Sequence, residues 1–255
     1  ITTRYASGDF RSALFGTIHE GGHALYELGF GAGVRGTLLA DGTSLGIHES
    51  QSRLWENMIG RSLPFWKRWY PVLKDHFPGV FDSLPLSSFY GAVNSVEPSL
   101  VRIEADEVTY SLHIILRFQL EKELVAGTLS PEDLPGAWNE LSRDLLGMVP
   151  ADDAEGVLQD IHWSMGAIGY FPTYALGNLY AAQFLHALRR DLPGLDGLLA
   201  DGNLLPVTEW LRGRIHSPGA SRTAAELVGE VTGSPLDPSY FIRYLSVKYG
   251  ELYEL

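Results

Sequence analysis

Apolar positions recur along this chain with the three-and-four spacing of helices, and strand-like runs are confined to one stretch. Phe10, Leu14, Phe15 and Ile18, then Leu25 and Leu28, predict a buried helix over 9–29, ended by Gly29, Gly31 and Gly33. Residues 30–47 break that period with glycines and short apolar runs around Asp41-Gly42, which predicts a β-hairpin. Helical spacing restarts at Glu49 and runs through Trp55 and Ile59 to Pro64, before the aromatics Phe65, Trp66, Trp69 and Tyr70, read as packed core rather than a ligand platform. The longest helical pattern covers 98–126, with Pro98 in its first turn and Gly127 as its stop. Further helices are predicted over 131–147, 173–190, 206–216, 222–232 and 238–252. No repeat, low-complexity tract or linker interrupts them. The expectation is a mainly α-helical fold with one small hairpin, a single domain over 1–255 in one continuous lobe.

Composition narrows the chemistry. The 255 residues can bury a substantial core, and the absence of cysteine leaves only nitrogen and oxygen ligands for any metal. A net charge of −12 argues against nucleic acid or an anionic membrane as the main partner and favours a soluble protein, expected to be cytoplasmic. No apolar run approaches the ~18 residues of a membrane span. The chain opens with Ile1-Thr2-Thr3-Arg4-Tyr5, without an initiator methionine or a signal-peptide pattern, and reads as the C-terminal part of a longer protein.

His19-Glu20-Gly21-Gly22-His23 lies inside the first helix. At 3.6 residues per turn, His19 and His23 project from one face and can grip one metal ion. Glu20 then sits beside the ion, where it can deprotonate a bound water. Glu49, 26 residues after His23, is the natural third ligand, leaving a fourth position open. A buried helix presenting these polar groups needs partners for them, which a metal supplies. A hairpin between the two ligand-bearing helices would offer an edge strand to an extended peptide.

Two other segments carry candidate chemistry. Arg102, Asp106, Thr109, His113 and Arg117 step by four, three, four and four, so on one helix they share a face. They form either a solvated stripe with an Arg102–Asp106 pair, or an arginine fork that grips a carboxylate and is held by a neighbouring acid. The segment from Gln159 to Tyr174 brings Asp160, His162 and Trp163 to a Gly-rich turn, with Tyr170 and Tyr174 four apart. The tyrosines are either core residues with satisfied hydroxyls or donors to the oxyanion of a tetrahedral intermediate. His76, His186 and His216 have no matching partners and are read as surface or packing residues.

With these residues in hand, the chain resembles the carboxypeptidase Taq family of zinc metallocarboxypeptidases through most of its length. His19-Glu20-Gly-Gly-His23-Ala24-Leu25-Tyr26-Glu27 is similar to the family's HExxH helix, and His48-Glu49-Ser50-Gln51 to its third-ligand motif. Val101-Arg102-Ile103-Glu104-Ala105-Asp106 is similar to its I-R-x-x-A-D signature, and Gly169-Tyr170-Phe171-Pro172-Thr173-Tyr174 to its Gly-Tyr motif. The resemblance implies a helical fold related to neurolysin and angiotensin-converting enzyme, with a groove crossing the zinc. It implies release of single residues from peptides with a free C-terminal carboxylate, with broad specificity, often by a homodimer. Zn2+ would be the cofactor, with Co2+ as an alternative. On that pattern Glu20 is the base, Arg102 binds the terminal carboxylate with Asp106 and His162 in the substrate-binding set, and Tyr174, or else Tyr170, stabilises the oxyanion.

The family pattern is not complete. Its members are roughly twice this length, and Ile1-Thr2 resemble only the end of a D-x-R-x-T motif that precedes HExxH. An upstream His-Pro-Phe motif is absent, and with it one wall of the groove. Many glutamate zincins also carry an Asp four residues after the third ligand to orient a zinc histidine. Arg53 stands there in this chain, so another acid must serve. An endo-oligopeptidase on the same site and a truncated, non-catalytic zinc domain used for assembly or binding are the alternatives.

Overall fold

The computed structural model describes residues 2–3 and 8–255, and Ile1, Arg4 and Tyr5 of the opening segment lie outside the described residues. Asp9 starts helix α1 (Phe10–Leu28) by accepting the Arg11 amide, and Gly29 ends it with its N–H on the Tyr26 carbonyl. The remaining helices are α2 (Leu45–Arg53), α3 (Leu63–His76), α4 (Leu86–Val93), α5 (Tyr110–Ala126), α6 (Leu134–Leu146), α7 (Pro172–Asp191), α8 (Leu195–Asp201), α9 (Leu205–Leu211), α10 (Ala224–Thr232) and α11 (Ser239–Tyr253). The helical expectation holds, and none of these helices is long and apolar enough to cross a membrane.

The hairpin does not form. Val34 and Arg35 donate to the Gly31 carbonyl, Thr37 to Val34 and Ala40 to Thr37, so the backbone is satisfied by successive turns instead of a cross-strand ladder. Asp41 accepts from the next amide, Gly42, and Thr43 is tied to the Tyr26 hydroxyl and the Gly219 carbonyl. Ser44 then caps α2, which starts at Leu45 and absorbs the supposed second strand. No edge strand is available there to hold a peptide.

Three further differences have local causes. Pro64 does not stop a helix; after the Ser62 cap it occupies the first turn of α3, where its missing N–H costs nothing. The pattern over 98–126 becomes helical only at Tyr110. Ahead of it lies a single 3-10 turn, Arg102–Glu104, then extended backbone at Ala105, because the Arg102 amide donates to the Gln159 side chain instead of a helix carbonyl. Helix α2 continues past Arg53 into a widened π turn, Leu54–Ile59.

By its contacts the chain groups into two compact units, Ile1–Val93 with Leu176–Leu255, and Asn94–Ala175. The second boundary falls inside α7, so no linker composition marks it. In the first unit the core gathers Tyr26, Ile47, Leu54, Phe184, Leu211 and Leu227, and a second cluster packs Phe15, Trp66, Tyr70 and Phe89. Trp66 and Tyr70 are therefore core residues, their rings 4.6 and 4.5 Å from that of Phe89. In the second unit, Trp138 of α6 packs on Leu116 and Leu120 of α5, and Phe171 packs on Tyr110 and Ile114.

Candidate functional site

The site residues expected from the sequence fall into two groups, one in each unit. In the first unit, α1 and α2 cross at unusually short range. A Cβ on Gly22 would lie 2.7 Å from the Gln51 carbonyl oxygen and the Ser52 Cα, and one on Gly177 of α7 would collide with the Glu49 side chain. Glycine at these two places lets α2 press its third-ligand residue against the HExxH face. His19 Nε2 lies 3.8 Å and His23 Nε2 3.6 Å from the same oxygen, Glu49 Oε2. The three ligand atoms all lie within 4.8 Å of one another.

This donor set fits a zinc-sized ion. Ligands about 2.1 Å from a tetrahedral centre stand about 3.4 Å apart, close to the 3.8 and 3.6 Å that separate the two histidines from Glu49, and two imidazoles with one carboxylate are a catalytic zinc set. Burial, reinforced by neighbouring His19, pulls His23 down to about 4, so its imidazole is neutral and can act as a ligand at neutral pH. Glu20, half-buried, makes no hydrogen bond or ion pair with the described residues and is available beside the ligands.

The supporting partners come from residues that the sequence analysis did not single out for that role. Glu56, in the π turn, accepts His19 Nδ1–H at 2.8 Å and is the acid missing at position 53. Burial would raise its pKa, but Arg53, the His19 hydrogen bond and Arg61 outweigh that and hold the carboxyl at about 2. Arg53 donates Nε to Glu49 Oε1 at 2.7 Å, leaving Oε2 to face the histidines. His23 Nδ1 meets His48 Nδ1 at 2.6 Å, and His48 Nε2 reaches Glu27 at 2.9 Å. The available signal for Glu56 was its spacing, seven residues or about two turns after Glu49. His216 is buried, bonded to Gln51 and packed on Tyr26, in keeping with a packing role.

In the second unit Arg102 is not paired with Asp106. Its Nε and NH2 donate to Asp160 at 3.1 and 2.7 Å, NH1 donates to the Tyr110 hydroxyl, and the guanidinium stacks 4.6 Å from the Tyr174 ring centre. Fully buried Arg117 donates to the other Asp160 oxygen at 2.6 Å and to the His113 carbonyl. Asp106 instead accepts the amides of Val108 and Thr109 and the Thr109 hydroxyl, setting the start of α5. The five-residue stripe therefore does not exist as one face, although His113 and Arg117 do share the buried side of α5.

Burial opposes ionisation of Asp160, but the two guanidiniums prevail and keep it below the ordinary carboxylate range. Arg102 is likewise held charged against its burial, while burial brings Arg117 down to about 10. One carboxylate between two arginines leaves a local excess of positive charge, an environment suited to an anion. His162 Nε2 lies 2.9 Å from the Tyr174 hydroxyl, and the His162 and Tyr170 rings stand 5.4 Å apart. Buried Glu121 accepts from Trp163 Nε1 and from the amide of Gly169, whose φ of +78° explains glycine in the Gly-Tyr motif.

The fold is helical, with the HExxH residues of α1 beside Glu49 of α2. Residues 1–249 match the family described as carboxypeptidase Taq (M32) metallopeptidase, and the chain belongs to that family. It is 51% identical over 253 residues to thermostable carboxypeptidase 1 of Thermus thermophilus and 47% identical over 255 residues to carboxypeptidase 1 of Bacillus subtilis. Those alignments take in 99% and 100% of this chain but 49% and 51% of the relatives, so the chain spans about half their length. Among solved structures, the M32 carboxypeptidase of Deinococcus radiodurans R1 superposes with a TM-score of 0.98 at 44% identity, covering 100% of this chain and 52% of that one. Metallocarboxypeptidase 1 of Trypanosoma cruzi follows at 0.94 and 39% identity, covering 98% and 50%.

Proposed function

We propose that the chain carries, as one catalytic domain, the machinery of a zinc-dependent carboxypeptidase that releases single residues, with broad specificity, from peptides bearing a free C-terminal carboxylate. The observation that carries this reading is the convergence of His19 Nε2 and His23 Nε2 on Glu49 Oε2, with Glu20 beside them. The names of the relatives, carboxypeptidases from several organisms, support it. Zn2+ held by His19, His23 and Glu49, or Co2+ in its place, would supply Lewis-acid polarisation of the scissile carbonyl and acidify a water.

The chain's own groups do the rest. Glu20 takes the proton of the attacking water and delivers it to the leaving amine. Tyr174 donates its phenol O–H to the developing oxyanion, with Tyr170 as the alternative donor. In the tautomer that carries its hydrogen on Nε2, His162 donates to the Tyr174 oxygen and polarises that phenol. Arg102 takes the terminal carboxylate, and Asp160 supplies the neighbouring acid that holds the guanidinium. Asp106 enters only by holding the turn, Val108 and Thr109, that leads into α5. The acting form is a cytoplasmic homodimer without nucleic-acid or membrane partners.

The test compares a free-carboxylate peptide with its amidated twin, with chelator and with restored zinc. The expected result is zinc-dependent loss of one residue from the free peptide only, with Glu20→Gln lowering kcat by about 10²–10⁴ while zinc stays bound. Cleavage of the amidated twin would assign an endo-oligopeptidase to the same centre. Bound zinc with no turnover of either peptide would leave a non-catalytic metal domain.

A further inference from the structure

We infer that Glu56 is a positioning residue that fixes two of the three metal ligands at once. The inference rests on the metal centre of the proposed function and concerns how that centre is held. Glu56 Oε2 accepts from His19 Nδ1 at 2.8 Å, and Arg53 NH1 lies 3.5 Å from the same oxygen. Arg53 Nε in turn holds Glu49 Oε1 at 2.7 Å. His19, Glu56, Arg53 and Glu49 thus form a continuous chain from the first ligand to the third, steadied at its acid by Arg61 NH2, 3.7 Å from Glu56 Oε1.

The chemistry of each link follows. A neutral imidazole can offer its Nε2 lone pair to a cation only if its hydrogen sits on Nδ1, and an acceptor at Nδ1 selects that tautomer and fixes the ring plane. Glu56 is that acceptor, and its side chain is only 14% exposed, so the bond is poorly screened by water. By drawing Arg53 toward itself, the same carboxylate fixes which oxygen of Glu49 remains for the metal. The segment carrying Glu56 is the π turn Leu54–Ile59, closed by the Gly60 amide on the Trp55 carbonyl at 2.8 Å. Such turns cost regular hydrogen bonding and concentrate at functional sites.

His23 is held differently. Its Nδ1 contacts the His48 imidazole, whose far nitrogen reaches Glu27, a side chain 51% exposed. That route ends in water and touches one ligand only, so its removal has the smaller effect.

The experiment measures zinc affinity of the 255-residue chain by competition with a chromophoric chelator, and records the visible spectrum of the Co2+ form. Glu56→Ala is expected to weaken zinc binding about 10–100-fold. Glu56→Gln, which keeps an acceptor but not the charge, should fall between that and wild type, with a shifted Co2+ spectrum. Glu56→Asp should recover part of the loss, and His48→Gln should lose less than Glu56→Ala. Glu56→Ala and Glu56→Gln both within twofold of wild type, with an unchanged Co2+ spectrum, would overturn the inference. Should Glu56→Ala fail to fold, Glu56→Gln at wild-type affinity and with the wild-type spectrum is enough to overturn it. A wild-type chain that binds no zinc would overturn the metal reading as well.

Discussion

The two polar clusters of this molecule meet the cost of burial by opposite means. In the first unit, ring nitrogens of His19 and His23 lie 3.8 and 3.6 Å from one oxygen of Glu49, a donor set that could hold a metal ion. In the second, Arg102 and Arg117 bring their own counter-ion, Asp160, at 2.7 and 2.6 Å. The first cluster leaves room for an ion supplied from outside, while the second is compensated within the fold by Asp160. One is therefore suited to take up a metal, and the other to stay rigid while it faces an anion.

The strongest way to break this contrast is to remove the counter-ion. Asp160→Ala leaves two buried guanidiniums facing each other, and denaturant unfolding is expected to show a loss of about 3–5 kcal/mol, with or without zinc. A loss below ~1 kcal/mol would mean that the arginines find other partners and that the second cluster is not self-contained. Glu49→Gln is the matching change in the first unit. It should abolish the stabilisation that zinc confers while moving the metal-free unfolding midpoint far less.

Acid probes the buried histidines of both units. Burial holds His216 at about 3 and, together with nearby Arg117 and Arg102, His113 at about 4. Both folded values lie below the unfolded value near 6.5, so the unfolded chain binds more protons as pH falls and stability declines from about pH 6.5 downward. Between pH 7 and 4, His216 alone accounts for a loss on the order of 3 kcal/mol, and above about pH 7.5 it contributes almost no slope. His216→Gln should flatten the acid limb of the stability curve measured by denaturant titration at each pH. An unchanged slope would show that His216 protonates freely in the folded state.

The smallest effect sharpens the metal side. Gly22→Ala places a methyl against the Gln51 and Ser52 backbone, so α1 and α2 must separate by a few tenths of an ångström. A cost of about 1–3 kcal/mol is expected, together with weaker zinc binding, because Glu49 rides on α2. Unaltered zinc affinity with unaltered stability would mean that the close crossing does not set the ligand distance.

The candidate metal-binding face of α1 was legible because its logic is local. His19, Glu20 and His23 lie within one helical turn of sequence, and a periodicity of 3.6 fixes their directions whatever the rest of the chain does. Glu56 and Arg53 were half legible: their spacing from Glu49 places them near its face, but the π turn between Leu54 and Ile59 leaves no mark in composition. The hairpin was misread because Asp-Gly between short apolar runs serves a chain of turns as well as a strand pair, and Tyr26 and Gly219 decided for the turns.

By itself, the sequence determined the helical class, the shared face of His19 and His23, and the packing of Trp66 and Tyr70, since each depends on period, residue type and burial along a single element. Only tertiary structure decided which acid holds Arg102. Asp106 is four residues away and Asp160 fifty-eight, and the distant one prevails because Asp106 is taken by the Val108 and Thr109 amides in the turn before α5, while Asp160 is brought between two guanidiniums. Ion pairs across such separations carry no periodic signature, so their partners are set by which segments pack together.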